Sequence, residues 1–373
     1  MRPRVDTLAP MTVERMSRAK QAAAAAGLDA VLVTPGADLR YLTGYDAVPL
    51  ERLTCLVLQA SGDPVLVVPA LERPAAEASP AAATGVDIID WPETDDPVAL
   101  VAKLVRRARR VAVDDHMWAE KVLRFRAAMP HAEQVLAGPV LRELRVRKSL
   151  AEIEALRAAA AAIDRVHARM GEWLQAGRTE RDVGHAIADA IIAEGHQRVD
   201  FVIVASGPNS ASPHHGGSDR VIEAGDPVVV DIGGTMPSGY CSDETRTYSV
   251  GGPPDDFVEA YEALRRAHAA AVGRARPDVT AESVDAAARG VLTAAGLGDH
   301  FVHRTGHGIG LETHEEPYIV AGNRRMLEPG MAFSVEPGFY LLDRFGARIE
   351  DIVVVTHDGV ELLNLRLRDL AIL

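Results

Sequence analysis

Acidic side chains placed inside apolar, strand-like runs constrain this chain more than any other feature. Asp231 stands in VVVDIGG, Asp243 in CSDETRT, Glu336 in SVEPGFY and Glu350 in ARIED, while His307 lies in RTGHGIGLETH. Burying a carboxylate without a partner is costly, so a fold that buries these runs must gather compensating groups around them. Four carboxylates and one imidazole suit two hard-to-borderline divalent cations sharing bridging oxygens. Such a pair makes hydroxide from water near neutral pH, so the pattern points to a two-metal hydrolase.

The local contexts sharpen this. Pro237, Ser238 and Gly239 make a turn between VVVDIGG and CSDETRTYSV, which predicts a hairpin that sets Asp231 near Asp243. Taken singly, each reads equally well as structural, Asp231 ending a strand and Asp243 capping the next, or as a ligand. His303, His307 and His314 fall within twelve residues, and three glycines around His307 let its backbone approach other atoms closely. One direct ligand with two flanking hydrogen-bond partners fits better than a three-histidine zinc site, given so many acids elsewhere. Arg348 and Glu350 alternate, which predicts one strand with both on the same face; the plainer reading is an intrastrand salt bridge. In the polar loop Ser212-Pro213-His214-His215-Gly216, His214 can donate to a substrate carbonyl and His215 is expected to face solvent. His116, His131, His167 and His357 read as ordinary structural histidines.

At 373 residues two domains are expected. The first, residues 1–140, alternates a helix (Val13–Ala26, stopping at Gly27), strands at Ala30–Val33, Cys55–Leu58, Val65–Val68 and Val86–Ile89, a helix at Pro97–Arg109 and a strand at Val111–Val113. That alternation predicts an α/β domain. A basic cluster, Arg142, Arg145, Arg147 and Lys148, marks the junction. Residues 141–373 then read helix, helix, strands, twice over. The first helix carries Ile153, Leu156, Ile163, Val166 and Met170 at helical spacing. The next starts with Thr179 as N-cap and Asp182 at N3. Strands follow at Phe201–Ala205, Val228–Ile232 and Thr245–Val250, helices at Asp256–Val272 and Ala281–Ala294, and strands at Met331–Val335 and Arg348–Val355. The expected fold is α/β (α+β), with a pseudo-two-fold pair of ααβ halves both contributing ligands.

A formal net charge of −13 argues against a nucleic-acid partner and against docking on anionic membrane. No run is long and apolar enough to span a bilayer, and the first residues, MRPRVDTLAP, lack an apolar leader segment. Two cysteines, Cys55 and Cys241, make no disulfide framework, so a cytoplasmic location is expected.

With these motifs in hand, residues 141–373 resemble the pita-bread metallopeptidases, the family of aminopeptidase P, prolidase and methionine aminopeptidase. The family's five-ligand pattern is matched at Asp231, Asp243, His307, Glu336 and Glu350. Residues 1–140, with ADLRYLTGY at Ala37–Tyr45, resemble the creatinase-type N-terminal domain of the aminopeptidase P and prolidase branch. Within the family, methionine aminopeptidases usually lack the long N-terminal domain and the histidine at His303, and creatinase lacks the metal ligands. The twelve-residue step from Asp231 to Asp243 is one longer than is common; the extra residue is expected in the Met236–Gly239 turn.

The resemblance implies hydrolysis of Xaa-Pro bonds in dipeptides or short peptides, with two divalent cations, manganese first and cobalt or zinc as alternatives. Asp243, His307, Glu336 and Glu350 would hold one cation, and Asp231, Asp243 and Glu350 the other. Hydroxide would attack the carbonyl before proline, with Glu336 as proton acceptor and shuttle. His214 and His314 would hold the carbonyl, and His303 would line the proline pocket. Arg348 would orient the hydroxide or Glu350, with Tyr340 as its hydrogen-bond partner. A homodimer is implied. Some prolidases carry an arginine where this chain has Tyr318, which leaves dipeptidase and aminopeptidase P both open. A hydrolase or lyase of a small non-peptide substrate and a non-catalytic binding protein are the readings from other classes.

Overall fold

The apolar runs of the first third become strands of one mixed sheet. The computed structural model describes residues 9–373; residues 1–8, on which the expectation about a leader segment bears, lie outside the described residues. The chain divides into two compact units, Met1–Arg145 and Val146–Leu373.

In the first unit, α1 (Ala9–Ala25) is followed by β1 (Ala30–Val33), α2 (Ala37–Thr43), β2 (Cys55–Gln59) and β3 (Val65–Pro69). Then come α3 (Arg73–Glu77), β4 (Asp87–Trp91), α4 (Pro97–Leu104), β5 (Arg110–Val113), α5 (Ala119–Ala128), β6 (Glu133–Leu136) and α6 (Gly138–Arg145). The sheet order is β4-β3-β2-β1-β5-β6. ADLRYLTGY is α2 plus its stop, where Gly44 takes the left-handed conformation (φ 71°) that ends the helix. Tyr41 in this motif donates to the Leu144 carbonyl at 3.1 Å, and Asp38 holds Arg145 at 2.8 Å, so the motif fastens α6. The helix expected over Pro97–Arg109 ends early, at Leu104. The Asp29 carboxylate accepts from the backbone N–H of Arg109 (2.7 Å) and Arg110 (2.9 Å), which draws those amides out of a helix and into the start of β5.

The second unit opens with α7 (Leu150–Ala168), capped by a reciprocal Ser149–Glu152 box, and α8 (Glu180–Ala193), where Asp182 N–H donates to the Thr179 hydroxyl at 3.1 Å. After β7 (Arg198–Ser206), β8 (Pro227–Thr235), β9 (Cys241–Ser249), α9 (Asp255–Arg274) and α10 (Ala281–Ala294), a run of short strands follows. These are β10 (Gly306–Gly308), β11 (Glu315–Ile319), β12 (Ala332–Val335), β13 (Gly338–Leu341), β14 (Phe345–Arg348), β15 (Asp351–Val355), β16 (Val360–Leu362) and β17 (Ala371–Ile372). Two main sheets result, ordered β17-β9-β8-β7 and β11-β10-β12-β15-β16. Each has its own helix pair. Ile163, Val166, Val183, Ile187 and Ile191 of α7 and α8 pack on Val228, Val230 and Ile232 of β8. Phe257, Tyr261, Leu264 and Leu292 of α9 and α10 cluster with Phe333, Phe339 and Val353. Among the described residues no helix is long and apolar enough to cross a membrane.

The strand expected over Arg348–Val355 is two strands. β14 ends at Arg348 and β15 begins at Asp351. The backbone between them turns to β9, where Arg348 N–H donates to the Thr247 hydroxyl (3.1 Å) and Glu350 N–H to the Thr245 carbonyl (3.0 Å).

Candidate metal centre

Strand periodicity places the first two acids. In the β8/β9 hairpin Asp231 pairs with Thr245 and Gly233 with Asp243, so Asp231, Asp243 and Thr245 share one face while Val228, Val230 and Ile232 face the helices. The turn closes with Met236 N–H donating to the Tyr240 carbonyl at 2.9 Å, and the pairing runs unbroken to Thr235 and Cys241. Residues 236–240 thus form the turn between the paired stretches that carry Asp231 and Asp243.

His307 sits in β10, with β11 on one side and β12 on the other. A methyl group added at Gly306 would lie 1.8 Å from the Ser334 carbonyl oxygen, and one at Gly308 would lie 2.2 Å from that of Glu316. These glycines are the condition for seating the histidine there. Its Nδ1 lies 3.1 Å from the Gly308 carbonyl, which can only accept, so Nδ1 carries the proton. The Nε2 lone pair then faces carboxylates, 3.2 Å from Glu336 and 3.6 Å from Asp243. Burial first, and His314 second, holds this imidazole well below its usual range.

Glu336 follows β12 and accepts from the Ser334 hydroxyl at 3.1 Å, the same hydroxyl that accepts from His307 N–H at 3.0 Å. Glu350 accepts from the Thr245 hydroxyl at 2.7 Å. Arg348 does not pair with Glu350. Its Nη2 lies 2.5 Å from Asp231 Oδ2, and it also donates to Thr245 Oγ1 (3.1 Å), the Tyr340 hydroxyl (2.6 Å) and the Pro213 carbonyl (3.3 Å). Because β14 ends at Arg348 and β15 begins at Asp351, the plainer reading of an intrastrand pair gives way to a link between β14 and β8. Tyr340, accepting from Arg348, has its own proton left for His303 Nε2 at 2.8 Å; His303 Nδ1 lies 2.8 Å from the Arg304 carbonyl. Burial and then the Arg348 charge push His303 down to about 4, in keeping with a neutral ring between these partners.

Nine of the sequence-predicted residues, Asp231, Asp243, His307, Glu336, Glu350, His214, His303, His314 and Arg348, line one cavity of about 580 Å³, with Tyr340 behind Arg348. The His314 ring lies beside that of His307, with centroids 4.0 Å apart and planes tilted by 55°. Three groups have ligand atoms mutually within 4.8 Å: Asp231, Asp243 and Glu350; His307, Glu336 and Glu350; and Asp243, His307 and His314. Glu350 and Asp243 each belong to two of them. Burial, followed by the neighbouring carboxylates, pushes Asp243 and Glu350 well above the usual carboxylate range. Burial pushes Glu336 up to about 7, with Arg348 opposing and Asp231 adding to it. Asp231 Oδ1 is buried without a hydrogen-bond partner. A donor lone pair aimed at acids, an orphaned carboxylate oxygen and a cluster of mutually repelling carboxyls all fit divalent cations, whose charge would reverse each cost.

Some participants escaped the sequence reading. Thr245, two residues beyond Asp243, joins Glu350 and Arg348; strand alternation was the available signal. Glu180, the first residue of α8, has a side chain with no exposure. It accepts from Ser206 N–H (2.7 Å), Ser206 Oγ (2.8 Å), Ser218 Oγ (2.5 Å), Asn209 Nδ2 (3.1 Å) and His215 Nε2 (2.8 Å). His215 is thus tied inward instead of facing solvent, because a buried carboxylate collects donors from the whole loop. Burial raises the Glu180 pKa, yet the donors, Ser218 foremost, outweigh it and leave the group below its ordinary value. This carboxylate fastens both ends of the loop that carries His214. Glu180→Gln should therefore cost on the order of 2–3 kcal/mol of stability through unmatched donors and lower kcat/KM by about tenfold, checked by chemical denaturation and steady-state kinetics. Wild-type values in both would show that the loop does not depend on it.

Comparison with known proteins gives the wider setting. Residues 154–357 match metallopeptidase family M24 and residues 15–147 match the creatinase/prolidase N-terminal domain. The chain belongs to metallopeptidase family M24. It is 56% identical over 357 residues to the probable dipeptidase PepE of Mycobacterium tuberculosis (strain ATCC 25618 / H37Rv), covering 95% of each chain. It is 36% identical over 356 residues to the Xaa-Pro dipeptidase of Lactobacillus helveticus, covering 92% of this chain and 95% of that one. The crystal structure of dipeptidase PepE from Mycobacterium ulcerans superposes with a TM-score of 0.93 at 54% identity, covering 98% of both chains. The fold is the pita-bread fold of this family preceded by a creatinase-type domain, and the M24 chain is a metallopeptidase, a hydrolase that works with divalent metal.

Proposed function

We propose that this M24 enzyme is an Xaa-Pro dipeptidase using two divalent cations, manganese foremost. The observation that carries the reading is the sharing of Glu350 and Asp243 between adjoining ligand groups in a single cavity that also holds His214, His303 and His314. The names of the Mycobacterium and Lactobacillus relatives support dipeptide substrates. We take residues 141–373 as the catalytic domain and 1–140 as the creatinase-like one, in a cytoplasmic homodimer.

Asp231, Asp243 and Glu350 would hold one cation, and Asp243, His307, Glu336 and Glu350 the other. Bound there, the cations supply Lewis acidity and water of lowered pKa. Glu336, at the edge of the ligand cluster, takes the proton of the attacking water and returns it to the proline nitrogen as the C–N bond breaks. That nitrogen carries no hydrogen in the substrate, so the returned proton is what makes it a leaving group. His214 and His314 donate to the carbonyl oxygen as it gains charge. Arg348 holds Asp231 Oδ2, leaving Oδ1 free, and Tyr340 keeps His303 neutral against the proline side of the cavity.

After chelator treatment and return of Mn2+, Gly-Pro should be split to glycine and proline, and a tripeptide Gly-Pro-Ala or the proline-free Gly-Ala at least about tenfold more slowly. Faster turnover of Gly-Ala, or full turnover of Gly-Pro in excess chelator, would contradict the proposal.

A further inference from the structure

Glu350 is buried but belongs to neither neighbouring strand, since β14 ends at Arg348 and β15 begins at Asp351. Its peptide groups therefore need partners from elsewhere, because a buried backbone carbonyl left unpaired is costly. Strand β9 supplies them. Glu350 N–H donates to the Thr245 carbonyl at 3.0 Å, and its carboxylate accepts from the Thr245 hydroxyl at 2.7 Å. Its carbonyl accepts from Arg246 Nη1 at 2.6 Å. The ligand shared between two cation groups is thus held at three points by two consecutive residues.

Arg246 reaches Glu350 from the other side of β9. Alternation sets Asp243 and Thr245 toward the ligand cluster and Arg246 away from it. Its guanidinium is buried, and each of its five N–H donors has a partner. Nε donates to the Leu367 carbonyl (3.1 Å), and Nη1 to the carbonyls of Thr245 (3.0 Å) and Glu350. Nη2 donates to the Arg366 carbonyl (3.0 Å) and to Asp351 Oδ1 (2.7 Å). The other oxygen of Asp351 is held by Arg368 Nε (2.6 Å) and His268 Nε2 (2.9 Å). One planar cation therefore joins β9, the Glu350–Asp351 corner and the backbone at 366–367. A stabilising ion pair needs only the contact with Asp351. The two Nη1 donors, aimed at the Thr245 and Glu350 carbonyls, go beyond it, and a lysine would keep the charge without this fixed fork.

We infer that Arg246 is a positioning residue for the metal centre: its hydrogen bond to the Glu350 carbonyl fixes the backbone of the shared ligand so that one carboxylate serves both cation groups. This rests on the two-cation reading above. Glu350 supplies a ligand atom to two groups, so a shift of its backbone is felt in both. Misplacement of about 1 Å is enough to cost on the order of 100-fold in rate at such a site.

The test titrates chelator-stripped full chain with Mn2+, free Mn2+ being counted by its electron paramagnetic resonance signal, beside steady-state kinetics on Gly-Pro. Arg246→Lys should weaken Mn2+ binding by about tenfold or more. It should lower kcat by about 10- to 100-fold while KM stays within about threefold. Arg368→Ala removes a partner of the same Asp351 but makes no contact with the Glu350 carbonyl. It should lower the melting temperature and leave Mn2+ affinity within about twofold of wild type, since it acts on the hub alone. Folded Arg246→Lys with wild-type Mn2+ affinity, or equal losses of affinity in Arg246→Lys and Arg368→Ala, would overturn the positioning role and leave the two-cation reading intact. A wild-type chain that binds fewer than two Mn2+ would overturn that reading as well. If Arg246→Lys does not fold, Arg246→Gln must show the same split from Arg368→Ala; failure of both to fold would mark Arg246 as purely structural and overturn the inference.

Discussion

Glu350→Ala should leave less than about one-thousandth of the wild-type rate on an Xaa-Pro dipeptide. Glu350 supplies a ligand atom to two of the three groups that can hold a cation, so its removal strips both positions at once. Asp243→Ala should do the same for the same reason. Loss of activity alone would not separate chemistry from folding, but the electrostatics do. Glu350 is crowded by Glu336 and Asp231, which raise its pKa beyond the effect of burial. Deleting one of several repelling acids should leave the metal-free variant at least as stable as the metal-free wild type. The expected pair of results is thus an inactive protein that melts no earlier than its parent in chelator. Activity within tenfold of wild type, or a collapse in melting temperature, would count against the arrangement.

The second large effect is the dependence of metal-free stability on pH. Burial pushes Glu336 up to about 7, so between the ordinary glutamate range and that value the folded chain keeps a proton that the unfolded chain has released. With more protons on the native state, unfolding free energy falls as pH rises through this window. The contribution is on the order of 3 kcal/mol for a shift of this size, and Asp243 and Glu350 act in the same sense. Buried histidines act oppositely: His167, pushed by burial down to about 3, is stabilising above its unfolded pKa and loses that contribution as pH falls. The useful measurement is therefore a difference. Metal-free wild type compared with metal-free Glu336→Gln should lose relative stability as pH is raised from about 4.5 to about 7.5, because the histidines cancel between the two. Added Mn2+ should raise the wild-type melting temperature more at pH 7.5 than at pH 5, since the ligands bind as carboxylates. A difference that stays flat, or grows in favour of the wild type with pH, would contradict the crowding of these acids.

Much of this was legible in the residues because short-range rules governed it. Two-residue periodicity put Asp231 and Asp243 on one face of a hairpin, and VVVD announced a strand buried on both sides. Glycines around His307 signalled close backbone approach, and the close contacts at Gly306 and Gly308 are that approach. Other features depended on partners distant in sequence. Arg348 and Glu350 were read as one strand, yet the chain leaves β14 to bond with β9, and no local pattern marks the change of sheet. Glu180 looks like an ordinary acid in the first turn of a helix; its donors lie 26 to 38 residues away. The helix at Pro97 stops short because Asp29, 80 residues from Arg109 in sequence, captures the backbone beyond it. Strand β6 was missed because EQVL is half exposed at a sheet edge and carries little apolar signal.

The central claim is two cations held in a cluster that Glu350 shares. Counting manganese per chain by elemental analysis, in chelator-stripped wild type and Glu350→Ala titrated with Mn2+ while Gly-Pro hydrolysis is followed, tests it most directly. The account predicts activity saturating at two ions per wild-type chain, with fewer than one retained by Glu350→Ala. Full activity in the stripped protein, or two ions still held by Glu350→Ala, would contradict it.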